Sequence, residues 1–311
     1  MRLGHPTSGR TLAYIKINVE DANSAAHQAV LESRVSIRAS LGTAASRNIR
    51  VPQAYGIFSI GNTSYWMEAP ALGEKLSNMF RRREYFGYTE KLENTLTRLF
   101  PLVIELTELL QSVRGARAID CIWCEIPREL ENQPRLCAAV EEARYFATTS
   151  AGTGTNWIQH GDFSADNIFF DKQTGRMEVI DWDDLAAGFP PLYDIFHFFF
   201  SISYFIPSDE TVKVSTTEER WLASFNALFF SKTEFARVAR KLILQACERL
   251  KVEPGLIPCL LLEFLLLRVQ YYRTKSLEQH RIYLRLLELY IQQWHPVFGE
   301  FQLPEIGRAH V

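Results

Sequence analysis

Hydrophobic positions change period several times along the chain, and the changes predict where strands give way to helices. Leu12 to Val19 alternates apolar and polar residues, as a half-buried strand does. Ser24 to about Leu41 is alanine-rich with apolar residues at helical spacing. Val51 to Ile60 and Thr63 to Met67 alternate again around Gly61-Asn62, the pattern of a β-hairpin. Residues 74–149 read as helices, Leu92 to Leu110 being the clearest amphipathic stretch. Ile168 to Phe170 and Met177 to Ile180 are short apolar strands on either side of a turn at Asp171 to Gly175. Beyond them, Ile195 to Phe200 is too apolar for a solvent-facing helix, residues 207–217 are a polar loop, and Glu218 to Trp294 is helical with a break at Pro254-Gly255. Leu260 to Arg273 is apolar nearly all round, which predicts a central buried helix. Glu263 inside it is expected to be paired, with Arg268 or Arg273 as the candidate partner, or else hydrogen-bonded or open to a pocket, because an unpaired buried carboxylate is costly.

Composition narrows the class. A chain of 311 residues, 47% apolar and 23% charged, is long enough for a sizeable core and too apolar for disorder. Its net charge of −2 leaves no footprint for nucleic acid, and Arg81-Arg82-Arg83 reads as a solvated helix face. No stretch near the start has the layout of a signal peptide, and the apolar runs Phe196 to Ile206 and Leu256 to Leu267 are shorter than a membrane span. A cytoplasmic protein without a membrane partner is therefore expected. Cys121 and Cys124 form one C-x-x-C with no second pair or nearby His, so the pair reads as incidental.

The candidate chemistry lies between Trp157 and Asp194. Asp162 and Asn167 are five apart, the D-x-x-x-x-N spacing of a kinase catalytic loop, and Asp181 leaves the end of the second short strand. Phosphoryl transfer between oxygens needs positioning and charge neutralisation more than covalent help. One carboxylate orients the attacking hydroxyl and takes its proton, which suits Asp162. A neutral amide and a second carboxylate can hold Mg²⁺, an ion that prefers hard oxygen ligands, and Asn167 and Asp181 suit that task. An isolated H-x-D reports a turn as readily as a site; the loop–strand–turn–strand setting is what raises the kinase reading. Upstream, Lys16 sits inside the first strand among apolar β-formers, and Glu32 follows it by 16 positions (32 − 16) on the next predicted helix. A strand Lys paired with a helix Glu is how kinases hold the ATP phosphates.

Residues 157–194 resemble the aminoglycoside phosphotransferase and choline kinase family, small-molecule kinases with the protein-kinase fold. The resemblance rests on His160-Gly161-Asp162, Asn167, Ile180-Asp181-Trp182, Gly188, Pro190 and Asp194, and extends over most of residues 12–200. Ser164 stands where protein kinases place a Lys, and Asp181-Trp182-Asp183 replaces their D-F-G. The resemblance implies an α+β, two-lobed fold: a small antiparallel β N-lobe over residues 1–70 and a larger, mainly helical C-lobe over residues 71–305. It implies ATP and Mg²⁺ as cofactors and the hydroxyl of an aminoglycoside, a choline-like amino alcohol or a sugar as acceptor. Asp162 becomes the catalytic base and Asn167 and Asp181 the metal ligands. His160 braces the loop, and Asp194 fastens it from the following helix. Lys16 and Glu32 hold the phosphates, and the backbone of Glu68, Ala69 and Ala71, in a hinge-like Glu68 to Gly73, meets adenine. Asp183-Asp184 is either a solvated turn or an attractor of a cationic amine.

Two features sit outside that pattern. Family members carry a strand and a Gly-containing hairpin ahead of the Lys strand, which Gly4 and Gly9 do not recreate, so the N-lobe is expected to lack both. Either the given start lies inside a longer reading frame, the favoured reading, or the phosphate cover is reduced; the alternative reading of the function is a pseudokinase or nucleotide-binding scaffold. Residues 306–311, IGRAHV, match the translation of a sequencing adapter, so the fold is expected to end near Glu305.

Overall fold

The computed structural model describes residues 2–4, 11–18, 35–37, 39, 48–60, 63–85, 90–113, 116–118, 126, 130–149, 157–206 and 214–293. Glu32, Cys121, Cys124, the connector at 150–156 and the tail at 306–311 lie outside them. Its strands are β1 (Arg2–Gly4), β2 (Thr11–Asn18), β3 (Ile49–Arg50), β4 (Ala54–Ile60), β5 (Thr63–Glu68), β6 (Glu74–Lys75), β7 (Arg117–Ala118), β8 (Trp157–Gln159), β9 (Ile168–Asp171), β10 (Arg176–Val179) and β11 (Ala186–Phe189). Its helices are α1 (Leu76–Phe80), α2 (Glu90–Leu110), α3 (Pro134–Thr149), α4 (Tyr193–Phe205), α5 (Thr217–Phe229), α6 (Glu234–Leu250), α7 (Ile257–Lys275) and α8 (Leu277–Gln292).

The period-2 stretches near the start pair as an antiparallel sheet in the order β1-β2-β5-β4, with Lys16 of β2 opposite Trp66 of β5. A three-residue strand thus precedes the Lys16 strand. A second sheet, β3-β10-β9-β6, is built around the β9–β10 hairpin. Asp171 closes that hairpin: its carboxylate accepts from the Gln173 amide at 2.9 Å and the Thr174 hydroxyl at 2.6 Å. β3 joins β10 in parallel, so the segment ahead of β4 is stitched to the strand that leads to Asp181. The third sheet, β7-β11-β8, joins the start of the stretch over residues 157–194 to β11.

Helices bury the rest. Every side chain of α4 except Tyr204 is buried, as its aromatic run predicts, and Phe196, Phe198, Phe199 and Phe200 pack there against α2, α5 and α7. α7 is buried from Ile257 to Val269 and packs on α8, α3 and α4. Pro254–Lys275 is long and apolar enough to cross a bilayer, yet 78% of that window is buried inside the protein.

One expectation about α7 fails. Glu263 is 3% exposed, and among the described residues its Oε2 has no hydrogen-bond partner. Five helical residues turn the chain about 140° beyond a full turn. Arg268 therefore leaves α7 on another side, and Arg273 is exposed. Burial pushes the Glu263 carboxyl up to about 8, so it is kept neutral rather than paired.

Candidate active site

The loop over residues 160–167 joins β8 to β9 and is held from several elements at once. Asp194, in the first turn of α4, accepts the His160 amide at 2.6 Å through Oδ2 and the Gly161 amide at 3.1 Å through Oδ1. Burial pushes its carboxyl up to about 7, and the two amide hydrogen bonds work against that rise. Ser201, two turns further along α4, accepts the Ala165 amide at 2.8 Å. On the other side the Ala165 carbonyl takes the Ser77 amide of α1 at 3.0 Å.

His160 is fully buried against Trp182 and Phe163. Its Nε2 donates to the Ile180 carbonyl at 2.9 Å, which leaves Nδ1 to accept the Asp162 amide at 3.3 Å. Burial lowers its pKa, consistent with a neutral ring that braces the turn. Gly161 has φ +83°, and a Cβ there would run into the Asp184 carbonyl, so the turn admits no side chain.

Asp162 is the group this scaffold presents, its side chain 29% exposed. Oδ2 accepts Asn167 Nδ2 at 2.9 Å, and the same nitrogen donates to the Asp162 carbonyl at 2.9 Å. The Asn167 carbonyl accepts the Ile180 amide at 2.9 Å, which brings the loop beside the end of β10. There Asp181 adopts φ 64°, a left-handed conformation costly for a non-glycine residue. Both Nδ2 bonds of Asn167 are directed at Asp162, so its Oδ1 is the atom that could accept a cation, with Asp181 following at the end of β10. Hard oxygens from one amide and one carboxylate fit Mg²⁺, which takes few protein ligands when phosphates complete its shell. Among the described residues no three His, Cys, Asp or Glu side chains form a metal site of their own.

The other Asp162 oxygen faces Arg268. Oδ1 lies 3.4 Å from Nη2, 3.5 Å from Nη1, and 3.7 Å from His197 Nδ1. Neither Arg268 nor His197 was singled out for this role by the sequence pattern. The available signal was that a charged residue in an all-apolar helix must find its partner on a neighbouring element. Nearby, Asp184 accepts the Tyr271 hydroxyl at 2.5 Å and Lys275 at 3.1 Å. It is therefore tied to α7, while Asp183 is exposed.

Residues 68–73, the expected hinge, are seated on the second sheet. Glu68 is 4% exposed at the end of β5, and the Ala69 amide donates to the Gln53 carbonyl at 2.7 Å. The Leu72 amide donates to Glu178 Oε2 at 2.7 Å. A Cβ on Gly73 would lie 2.8 Å from the Phe170 carbonyl carbon, so only glycine lets hinge and hairpin meet. Hydrogen bonds thus bring together His160, Asp162, Asn167 and Asp194, with Asp181 at the adjoining strand end, and Glu68, Ala69 and Ala71 lie along the hinge. Lys16 is on β2, but its side chain lies outside the described residues.

Residues 92–232 match the model of the phosphotransferase enzyme family. No curated protein matches the sequence. Among solved structures, a thermostable mutant of aminoglycoside phosphotransferase APH(4)-Ia, in ternary complex with ADP and hygromycin B, is 14% identical with a TM-score of 0.54, covering 94% of this chain and 92% of that one. Aminoglycoside phosphotransferase APH(3'')-Id from Streptomyces rimosus, in complex with ADP and streptomycin, is 14% identical, covers 93% and 89%, and gives a TM-score of 0.44. An ethanolamine kinase from Plasmodium vivax is 13% identical, covers 92% and 77%, and gives 0.45. The chain has the two-lobed kinase-like fold of the first of these, and its residues 92–232 are similar to the phosphotransferase enzyme family.

Proposed function

We propose that the chain is an ATP- and Mg²⁺-dependent kinase that transfers a phosphoryl group to a hydroxyl of a small molecule: an aminoglycoside, a choline-like amino alcohol or a sugar. The observation that carries this is the Asp162–Asn167 pair, bonded at 2.9 Å and fastened to the amide of Ile180, the residue before Asp181. In this reading Asp162 orients the acceptor hydroxyl and takes its proton as the O–P bond forms. Asn167 Oδ1 and the Asp181 carboxylate hold the metal ion, which supplies charge neutralisation at the phosphates. Lys16 and Glu32 steady the phosphates from the N-lobe, residues 1–70. The Glu68 and Ala69 carbonyls and the Ala71 backbone line the adenine edge, the Ala69 amide being already committed to Gln53. Residues 71–305 carry the loop and meet the acceptor, and the cytoplasm, where ATP is plentiful, is the expected compartment.

The test is ADP release from MgATP with ethanolamine, choline, hygromycin B, streptomycin and free sugars as acceptors. Asp162→Ala should lower turnover of the accepted compound by roughly 10²–10⁴-fold. ATP binding with no Asp162-dependent turnover on any acceptor would leave a nucleotide-binding scaffold instead.

A further inference from the structure

Arg268 is the most enclosed charge beside the loop, its side chain 1% exposed. Its guanidinium is fixed by contacts that do not involve Asp162. Nη1 donates to the Gly161 carbonyl at 3.1 Å, and Nη2 donates to the Tyr272 hydroxyl at 2.6 Å and lies 3.3 Å from His197 Nε2. The rings of Tyr271, Tyr272 and Tyr283 lie 5.2, 4.8 and 5.3 Å from its central carbon. Burial works against this charge, but Tyr283, Tyr193, Tyr272 and Asp162 outweigh it, and the pKa of Arg268 stands above its usual value. Because Arg268 donates to His197 Nε2, the neutral ring carries its proton on Nδ1, which faces Asp162 Oδ1 at 3.7 Å.

We propose that Arg268, locked in this tyrosine and histidine cage, is the positioning residue that sets the orientation of the Asp162 carboxylate. Asn167 holds Oδ2, and the guanidinium holds Oδ1 from the opposite side, so the plane of the carboxylate is fixed at both ends. The Asn167 contact is a normal hydrogen bond at 2.9 Å, whereas those to Arg268 are long, at 3.4 and 3.5 Å. The hold on Oδ1 is thus mainly electrostatic and leaves lone pairs for an acceptor hydroxyl. The inference rests on Asp162 being the catalytic base, and it adds a residue more than 100 positions away in sequence, on a helix that otherwise forms the core.

A double-mutant cycle on the full chain tests it. The rate read is ADP release from MgATP, with water and with whichever of ethanolamine, hygromycin B or streptomycin the wild-type enzyme phosphorylates. Arg268→Met should lower kcat about 10–100-fold and leave the KM for ATP within about twofold, since misplacing a reacting group by about 1 Å costs on that order. Arg268→Lys, which keeps the charge without the fork, should recover part of the loss. In an Asp162→Ala background Arg268→Met should cost nothing further, because both changes remove one function. An equal loss in both backgrounds would mean that Arg268 only supports the fold, and the proposal fails. Should Arg268→Met not fold, Arg268→Lys and Tyr272→Phe replace it, and wild-type kcat in both also overturns the proposal. An Asp162→Ala enzyme with the wild-type rate instead refutes the assignment of the base, and the positioning role falls with it.

Discussion

Glu263 offers a direct physical test of the core, because a carboxylic acid is buried there with no charged partner among the described residues. Its carboxyl is raised from 4.5 to about 8, and burial is the cause. A folded-state pKa above the unfolded value means that the folded protein keeps a proton which the unfolded chain has released. The associated stability is complete below about pH 4.5 and is lost as the pH rises through about 8. At about 1.4 kcal/mol per pKa unit the ceiling is about 5 kcal/mol, and relaxation around the ion should leave about 2–4 kcal/mol. Glu263→Gln removes the ionisation while keeping the shape of the neutral acid. Urea unfolding of both proteins at about pH 5 and about pH 8.5 is the assay. Between the two pH values the variant should gain about 2–4 kcal/mol on the wild type. The fixed cost of burying an amide cancels in that difference, and so does the titration of Asp194, which both proteins share. Parallel stability profiles would refute the reasoning, since Glu263 would then be hydrated or paired in solution.

Three further outcomes follow from the geometry. Gly161→Ala should destabilise the protein by about 2–4 kcal/mol, seen as a lower Tm, because φ +83° and the Asp184 carbonyl both oppose a Cβ. Asp194→Asn can accept only one of the His160 and Gly161 amides well, so hydrogen exchange at those two amides should quicken and turnover fall by about tenfold or more. Asp181→Asn should change stability by less than about 0.5 kcal/mol, since Asn tolerates the left-handed region, yet abolish Mg²⁺-dependent turnover; Asp181→Ala should lose about 1–2 kcal/mol as well.

Much of this arrangement was legible in the sequence, and the gaps have physical causes. Period-2 stretches located β2, β4 and β5, and the Asp171 turn signal located the β9–β10 hairpin. The all-apolar run predicted the burial of α7. The spacing of Asp162 and Asn167, read with the strand that ends before Asp181, brought those residues together. Partners from distant helices were not legible from spacing, because nothing local fixes which face of a buried helix meets the loop. The mistaken pairing of Glu263 with Arg268 was avoidable, since five residues separate side chains by about 140° on a helix. β3 escaped notice because a two-residue strand carries no period, and its pairing with β10 is entirely non-local.

A sharper rule lies in the polar stripes of the buried helices. Asp194, His197 and Ser201 sit at positions i, i+3 and i+7 of the largely apolar α4, and that face meets the loop over residues 160–167, whereas Ser203 donates to the Ser224 carbonyl. Arg268, Tyr271, Tyr272 and Lys275 repeat the spacing i, i+3, i+4 and i+7 on α7: Arg268 reaches Asp162, Tyr271 and Lys275 reach Asp184, and the Tyr272 hydroxyl accepts from Arg268. A lone polar residue inside a core helix is costly, and several on one stripe are stable only where a polar surface faces them. Here that surface is the loop over residues 160–167 with the turn at residues 182–184. The aromatic core under α4 therefore has a functional consequence. It fixes the helix that orders the loop, while α7, through Arg268, fixes the carboxylate that the loop presents.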